Sequence, residues 1–223
     1  MDIVCIIVAL LITSLAQFIL TIKYAIYKKV EIDSGLTGRE VAEKILNKYG
    51  IDDITINEIS GNLTDNFNNS NRSVNLSSDI YNGTSIASTA VAAHECGHVI
   101  QYEEDYGPIK VRNNLVPIVN IGNKLGYIAI VISLMSSLSK LFIVGIILIS
   151  FAVVFQLITL PVEFDASIRA NKIILEMGLV TKNEQKGTKK ILRAAAFTYV
   201  AGLFSSILQI LRLIYIFNGR RRD

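Results

Sequence analysis

The chain has two histidines, and both fall in one five-residue stretch, His94-Glu95-Cys96-Gly97-His98. Four residues on a helix make about one turn, so the two imidazoles share a face and can reach one tetrahedral ion. A glutamate directly after the first histidine lies beside the open position of such an ion. From there it can take a proton from water and return it to a leaving amine. Chance placement of two histidines and this glutamate has a probability of roughly 1 in 2,000. Two surface histidines would be the plain alternative, and the neighbours oppose it. Ala87, Ala90, Val91, Ala92, Ala93, Val99 and Ile100 make the helix mostly buried, and a buried imidazole without a partner is costly. The predicted chemistry is hydrolysis assisted by one Zn2+ per chain, with His94 and His98 as ligands and Glu95 as general base.

A catalytic zinc takes three protein ligands and keeps a fourth position open. Cys96 lies two positions past His94, about 200° away around the helix, and is expected to pack rather than to ligate. The third ligand must then be a carboxylate. Leu160-Pro-Val-Glu-Phe-Asp-Ala-Ser167 offers Glu163 and Asp165, with Pro161 placed as at a helix start.

The elements that position these residues belong to a membrane protein. Hydrophobic residues make up 51% of 223 and charged ones 18%, against about 25% charged in soluble domains. That composition excludes a disordered chain, a nucleic-acid-binding arm and an ordinary soluble globule. The two cysteines, Cys5 and Cys96, cannot form a disulfide framework. Ile3 to Ile22 carries no charge and is followed by Lys23, Lys28 and Lys29, as in an uncleaved anchor of roughly 20 residues. Val116 to Leu160 is apolar apart from Lys124 and Lys140 and is long enough for two spans, with a turn at Ser136, Ser137, Ser139 and Lys140. Ala194 to Phe217 forms a fourth span, with Arg212 near one end. The expected divisions are an anchor over 1–27, a metallopeptidase domain over 28–115 and a helical hairpin over 116–160. A third-ligand helix and basic segment over 161–193 and a last span with a basic tail over 194–223 complete them. The polar pieces share one side of the membrane. Twelve basic residues flank the spans there (Lys23, Lys28, Lys29, Lys110, Arg112, Arg169, Lys172, Lys182, Lys186, Lys189, Lys190 and Arg193), against Lys140 and Arg220 to Arg222 opposite. The positive-inside rule makes that side cytoplasmic.

Within residues 28–115, Thr37-Gly-Arg-Glu40 reads as a capping box, with Val41, Ile45 and Leu46 at helical spacing and Gly50 as the stop. Ile54 to Ile59 and Ser73 to Ser77 alternate as a two-stranded element, separated by a polar turn at Asn68 to Asn71 and closed by Asn82-Gly83. A second helix runs from Ser85 to about Glu104 and is ended by Asp105, Gly107 and Pro108. Gly97 in its middle costs ~1 kcal/mol against alanine, which close approach of another helix would offset.

Over nearly its whole length the chain resembles the YugP-like membrane zinc metallopeptidases, bacterial membrane proteases. The resemblance rests on Leu36-Thr-Gly38, Leu63-Thr-Asp65, Asn75-Leu-Ser77, Ala92 to Gln101, Thr159 to Ser167 and Ala194 to Ala201. It implies zinc on His94, His98 and Glu163, with Glu95 catalytic. The family pattern has His and Asp after Leu-Thr-Asp, where this chain carries Asn66 and Asn68. The hairpin between H-E-x-x-H and a later glutamate is also similar to the membrane gluzincins. Those have Glu-x-x-x-Asp at the third ligand, and Ser167 stands at the Asp position. Side-chain direction agrees on Glu163. It and Asp165 lie about 200° apart on a helix, and Asp165 has Arg169 four residues on as an ion-pair partner.

The expected fold class is a mainly α membrane protein of about four transmembrane helices with a small α+β, zincin-like (gluzincin-type) domain. The expected function is a membrane-anchored zinc endopeptidase acting on peptide or protein substrates, membrane proteins among them, in the lipid bilayer and without nucleic acid. Tyr199, Arg112 and Asn66 are the candidates for steadying the developing oxyanion. A catalytically idle zinc-bearing scaffold or chaperone is the alternative, and the intact Glu95 opposes it. Metal transport is disfavoured because no span carries paired carboxylates or histidines.

Overall fold

The computed structural model describes residues 2–136 and 138–220. The elements run α1 (Asp2–Tyr27), α2 (Gly38–Lys48), β1 (Thr55–Ile59), β2 (Asn66–Asn68), β3 (Ser73–Ser77), α3 (Ser78–Tyr81), α4 (Ile86–Glu103), α5 (Gly107–Met135), α6 (Ser139–Glu176) and α7 (Lys182–Arg220). The protein is thus mostly helical with one small sheet. Four helices, Ile3–Tyr27, Gly107–Met135, Ser139–Glu176 and Lys182–Gly219, are long and apolar enough to cross a membrane. The chain divides into two compact units.

One unit is built from the residues up to Gln17, Gly107–Pro161 and those from Phe197 on. Most of its large apolar side chains face outward, Leu11, Phe18's neighbour Leu15, Ile128, Ile147 and Phe204 among them. Its small core holds Ile130, Phe142, Ile149 and Leu213, with Phe142 stacked on Phe217 at 5.6 Å between ring centroids. Gly126 of α5 and Gly145 of α6 let the two backbones meet. A Cβ on Gly145 would stand 2.8 Å from the Gly126 carbonyl oxygen, the small-residue packing usual between helices in lipid. Gln156 Nε2 donates to Ser206 Oγ at 2.7 Å and ties α6 to α7.

The other unit comprises Phe18–Tyr106 and Val162–Ala196. The capping box forms as the sequence predicts: Glu40 N–H donates to Thr37 Oγ1 and Thr37 N–H to Glu40 Oε2. Gly50, at φ +66°, ends α2. Ser85 caps α4 by accepting from the Ser88 N–H at 3.1 Å. Helix α4 is buried on nearly every side. Val41 and Ile45 of α2, Val74 and Leu76 of β3, Ala170 and Ile174 of α6 and Ile191 of α7 share its hydrophobic core. Both cysteines are free, and the Cys96 thiol packs 3.8 Å from the Ala42 carbonyl oxygen.

Four local features differ from expectation. The sheet has three strands in the order β1-β3-β2 rather than two. Strand β1 pairs with β3 in parallel, from Thr55↔Ser73 to Ile59↔Ser77. Strand β2 pairs with β3 antiparallel. Asn82 caps the short α3 instead of closing a hairpin. Gly107 and Pro108 begin α5, as a missing N–H allows in a first turn. Pro161 lies inside α6, one unbroken helix of 38 residues; helices in lipid accommodate proline by local adjustment of the freed carbonyl. Of the expected turn between α5 and α6, Ser137 lies outside the described residues, as do Arg221 and Arg222 of the tail.

Candidate metal centre

His94 and His98 sit one turn apart on α4, and Glu163 projects from α6. One ligand atom from each lies within 4.8 Å of the others. Glu163 Oε2 is 3.3 Å from His94 Nε2 and 3.7 Å from His98 Nε2. The glutamate side chain is 2% exposed. Gly97 allows this reach. A Cβ there would stand 2.7 Å from the Ala166 carbonyl oxygen, so any larger residue would hold the α6 backbone off.

Hydrogen bonding fixes which nitrogens face inward. Gln101 Nε2 donates to the Val162 carbonyl oxygen and to Asp165 Oδ2, both at 2.8 Å. Its Oε1 therefore accepts, and the atom 3.0 Å away is His98 Nδ1. His98 is accordingly protonated on Nδ1, and its Nε2 lone pair points at a carboxylate oxygen. Two acceptors that face each other in a buried place call for a cation between them. The donor set suits zinc. Tetrahedral ligands at ~2.1 Å from an ion lie about 3.4 Å apart, close to the two distances above. His94 Nδ1 has Ser167 Oγ at 3.3 Å, so each imidazole has an outer partner of the kind that orients metal-ligating histidines.

Asp165 is turned elsewhere. It meets Gln101 and the Arg169 guanidinium, which also bonds Glu104. Glu95 is 7% exposed and is absent from the convergent triad. The backbone N–H of Phe67 on β2 favours its charged form. Burial pushes its pKa up to about 7, against the pull of His94 and with the help of Glu163 and Asp65. Asp65 accepts from the Ser77 N–H at 2.7 Å and from its hydroxyl, and burial raises its pKa too.

Of the three oxyanion candidates, Asn66 lies in the same unit as the triad. Its amide donates to the Thr64 carbonyl at 2.9 Å and accepts from Asn75 at 3.0 Å. Arg112 and Tyr199 belong to the other unit. Sequence reasoning assigned no role to Gln101 or to the Phe67 N–H. Gln101 carried a signal, since it lies three residues after His98 on the same helix face. A backbone N–H carries none.

A family model described as "Putative neutral zinc metallopeptidase" matches residues 2–218. The "Putative membrane protease YugP" of Bacillus subtilis (strain 168) is 43% identical over 206 residues, 92% of either chain. No solved structure matches.

Proposed function

Because the chain belongs to the YugP-like family of membrane zinc metallopeptidases, we propose that it is a zinc-dependent endopeptidase that cleaves membrane or membrane-proximal proteins. The observation that carries this is the separation of roles in the buried cluster: three convergent ligands and, outside them, the buried carboxyl group of Glu95. Zinc held by His94, His98 and Glu163 would supply Lewis acidity and make water a usable nucleophile at neutral pH. Glu95 takes the proton from the attacking water and delivers it to the leaving amine. Burial of the Glu95 carboxyl favours its protonated form, which the second half of that task requires. Gln101 and Ser167 keep the imidazoles turned inward.

Strand β2 supports a peptide substrate. It is the last strand in the order β1-β3-β2 and has one partner, β3, so an extended peptide can lie along its open side by main-chain hydrogen bonding. That strand packs against α4, which carries Glu95. The distribution of basic residues supports a cytoplasmic position for this domain.

The test is Glu95→Gln. We expect the purified variant to hold zinc near one per chain and to have lost casein cleavage, which a chelator abolishes in the wild type. Loss of zinc together with activity would make Glu95 a ligand and overturn the assignment; casein cleavage by neither protein under any zinc loading would overturn the peptidase.

A further inference from the structure

The parts of α6 and α7 in the second unit line a half-open pocket of about 590 Å3. Phe164, Ile168, Leu175, Leu192 and Ala196 give it apolar walls, and Lys189 and Arg193 stand on its α7 side. We propose that it binds an anionic glycerophospholipid, with Lys189 and Arg193 on the phosphate and an acyl chain along the apolar walls. This goes beyond the peptidase reading and does not depend on it.

Three features select that ligand. The amide side chains of the lining are already hydrogen-bonded to protein. Asn171 donates to the Ser167 carbonyl at 2.9 Å and accepts from Thr188 at 2.7 Å. Gln185 donates to the Asn171 carbonyl at 2.8 Å. A polar solute would find few partners inside, whereas a hydrocarbon chain needs none. Second, Lys189 and Arg193 are one turn apart and exposed, and among the described residues neither has an ion-pair partner. Lys172, by contrast, approaches Glu176 at 3.8 Å. Lys182 and Lys186 continue the same basic face at positions i−7 and i−3 from Lys189. Third, Phe164 is 44% and Ile168 65% exposed, large apolar surface that lipid would cover.

The position along the chain agrees. Phe164 follows the apolar run that ends at Leu160, and Arg193 immediately precedes the one that begins at Ala194. From Phe164 to Glu176 the helix rises about 18 Å, enough for a headgroup and the first part of a chain. Basic residues placed next to a span in this way attract anionic headgroups.

The experiment uses the full-length protein in detergent, offered equal amounts of phosphatidylglycerol and phosphatidylcholine, with bound lipid counted by native mass spectrometry. We expect one phosphatidylglycerol to be retained in preference, and Lys189→Glu/Arg193→Glu to weaken that retention by about tenfold or more. Lys44→Glu/Lys48→Glu, the same change of charge on the exposed side of α2, should leave it intact, and unchanged thermal midpoints show that both variants fold. Equal retention of the two lipids, equal loss in the α2 variant, or full retention by the α7 variant would each overturn the site. Displacement of the lipid by glycerol phosphate at matched concentration would also overturn it, because the apolar cavity would then contribute nothing.

Discussion

Gln101 determines which nitrogen of His98 faces the metal. Its amide can be oriented in one way alone, because Val162 and Asp165 offer only acceptors. Gln101→Leu should lower zinc affinity by about 10–100-fold with the fold retained, and Gln101→Glu should not restore it, because its carboxylate would face the Val162 carbonyl and the Asp165 carboxylate with no proton to donate. Competition with a chromogenic chelator measures both; equal affinity in wild type and Gln101→Leu would remove the glutamine from the site. Glu163→Ala should weaken zinc by orders of magnitude, while Asp165→Ala should cost mainly stability through Arg169. The reverse ranking in the same titration would move the ligand to Asp165. Glu95 gives a prediction for the metal-free protein. The folded chain keeps this proton to about pH 7, against an ordinary value of 4.5. Between those values the folded state binds more protons than the unfolded one, so this carboxyl makes stability fall as pH rises. Glu95→Gln should therefore raise the thermal midpoint of the zinc-free protein at pH 8, by a gain on the order of 3 kcal/mol, and leave it unchanged near pH 4. A gain of the same size at both pH values would show that burial of the charge is not the cause.

At Gly97 helix α4 leaves no room for a side chain against the α6 backbone. Gly97→Ala would gain ~1 kcal/mol of helix propensity and meet the Ala166 backbone. A clash against backbone costs about 1–3 kcal/mol, so the thermal midpoint should drop and zinc affinity drop with it; a more stable variant would mean that α6 can move away freely. The spacing of His94, Glu95 and His98 was legible in the sequence because a helical face is a local property, as was the need for room at Gly97. Pairing of strands is not local. The parallel β1–β3 ladder passes over the intervening β2, and nearby turn residues such as Asn82-Gly83 are equally consistent with a hairpin. Strand β2 has three residues, too few for alternation to register. Pro161 misleads because its missing N–H is harmless at a helix start and is also tolerated inside a helix in lipid, where local adjustment satisfies the freed carbonyl.

For the molecule as a whole, the four apolar helices and the uneven basic residues predict that Lys140 is outside the cell and residues 28–115 inside. Labelling of Lys140→Cys by an impermeant reagent on intact cells, in a background lacking Cys5 and Cys96, should succeed; labelling only after lysis would invert the topology. The carbonyl of Ala166 against Gly97 has a consequence for how such a protein meets its metal. Together with the Gln101 bond to Val162, it fastens the two ligand-bearing helices using protein atoms alone. The site is thus preorganised, and capture of zinc need not be coupled to folding as it is in a zinc finger. Chelation should leave the circular dichroism spectrum and resistance to added protease unchanged, and zinc should re-enter without a slow refolding phase. The apo-protein would then be a stable, folded reserve, switched on by the supply of metal.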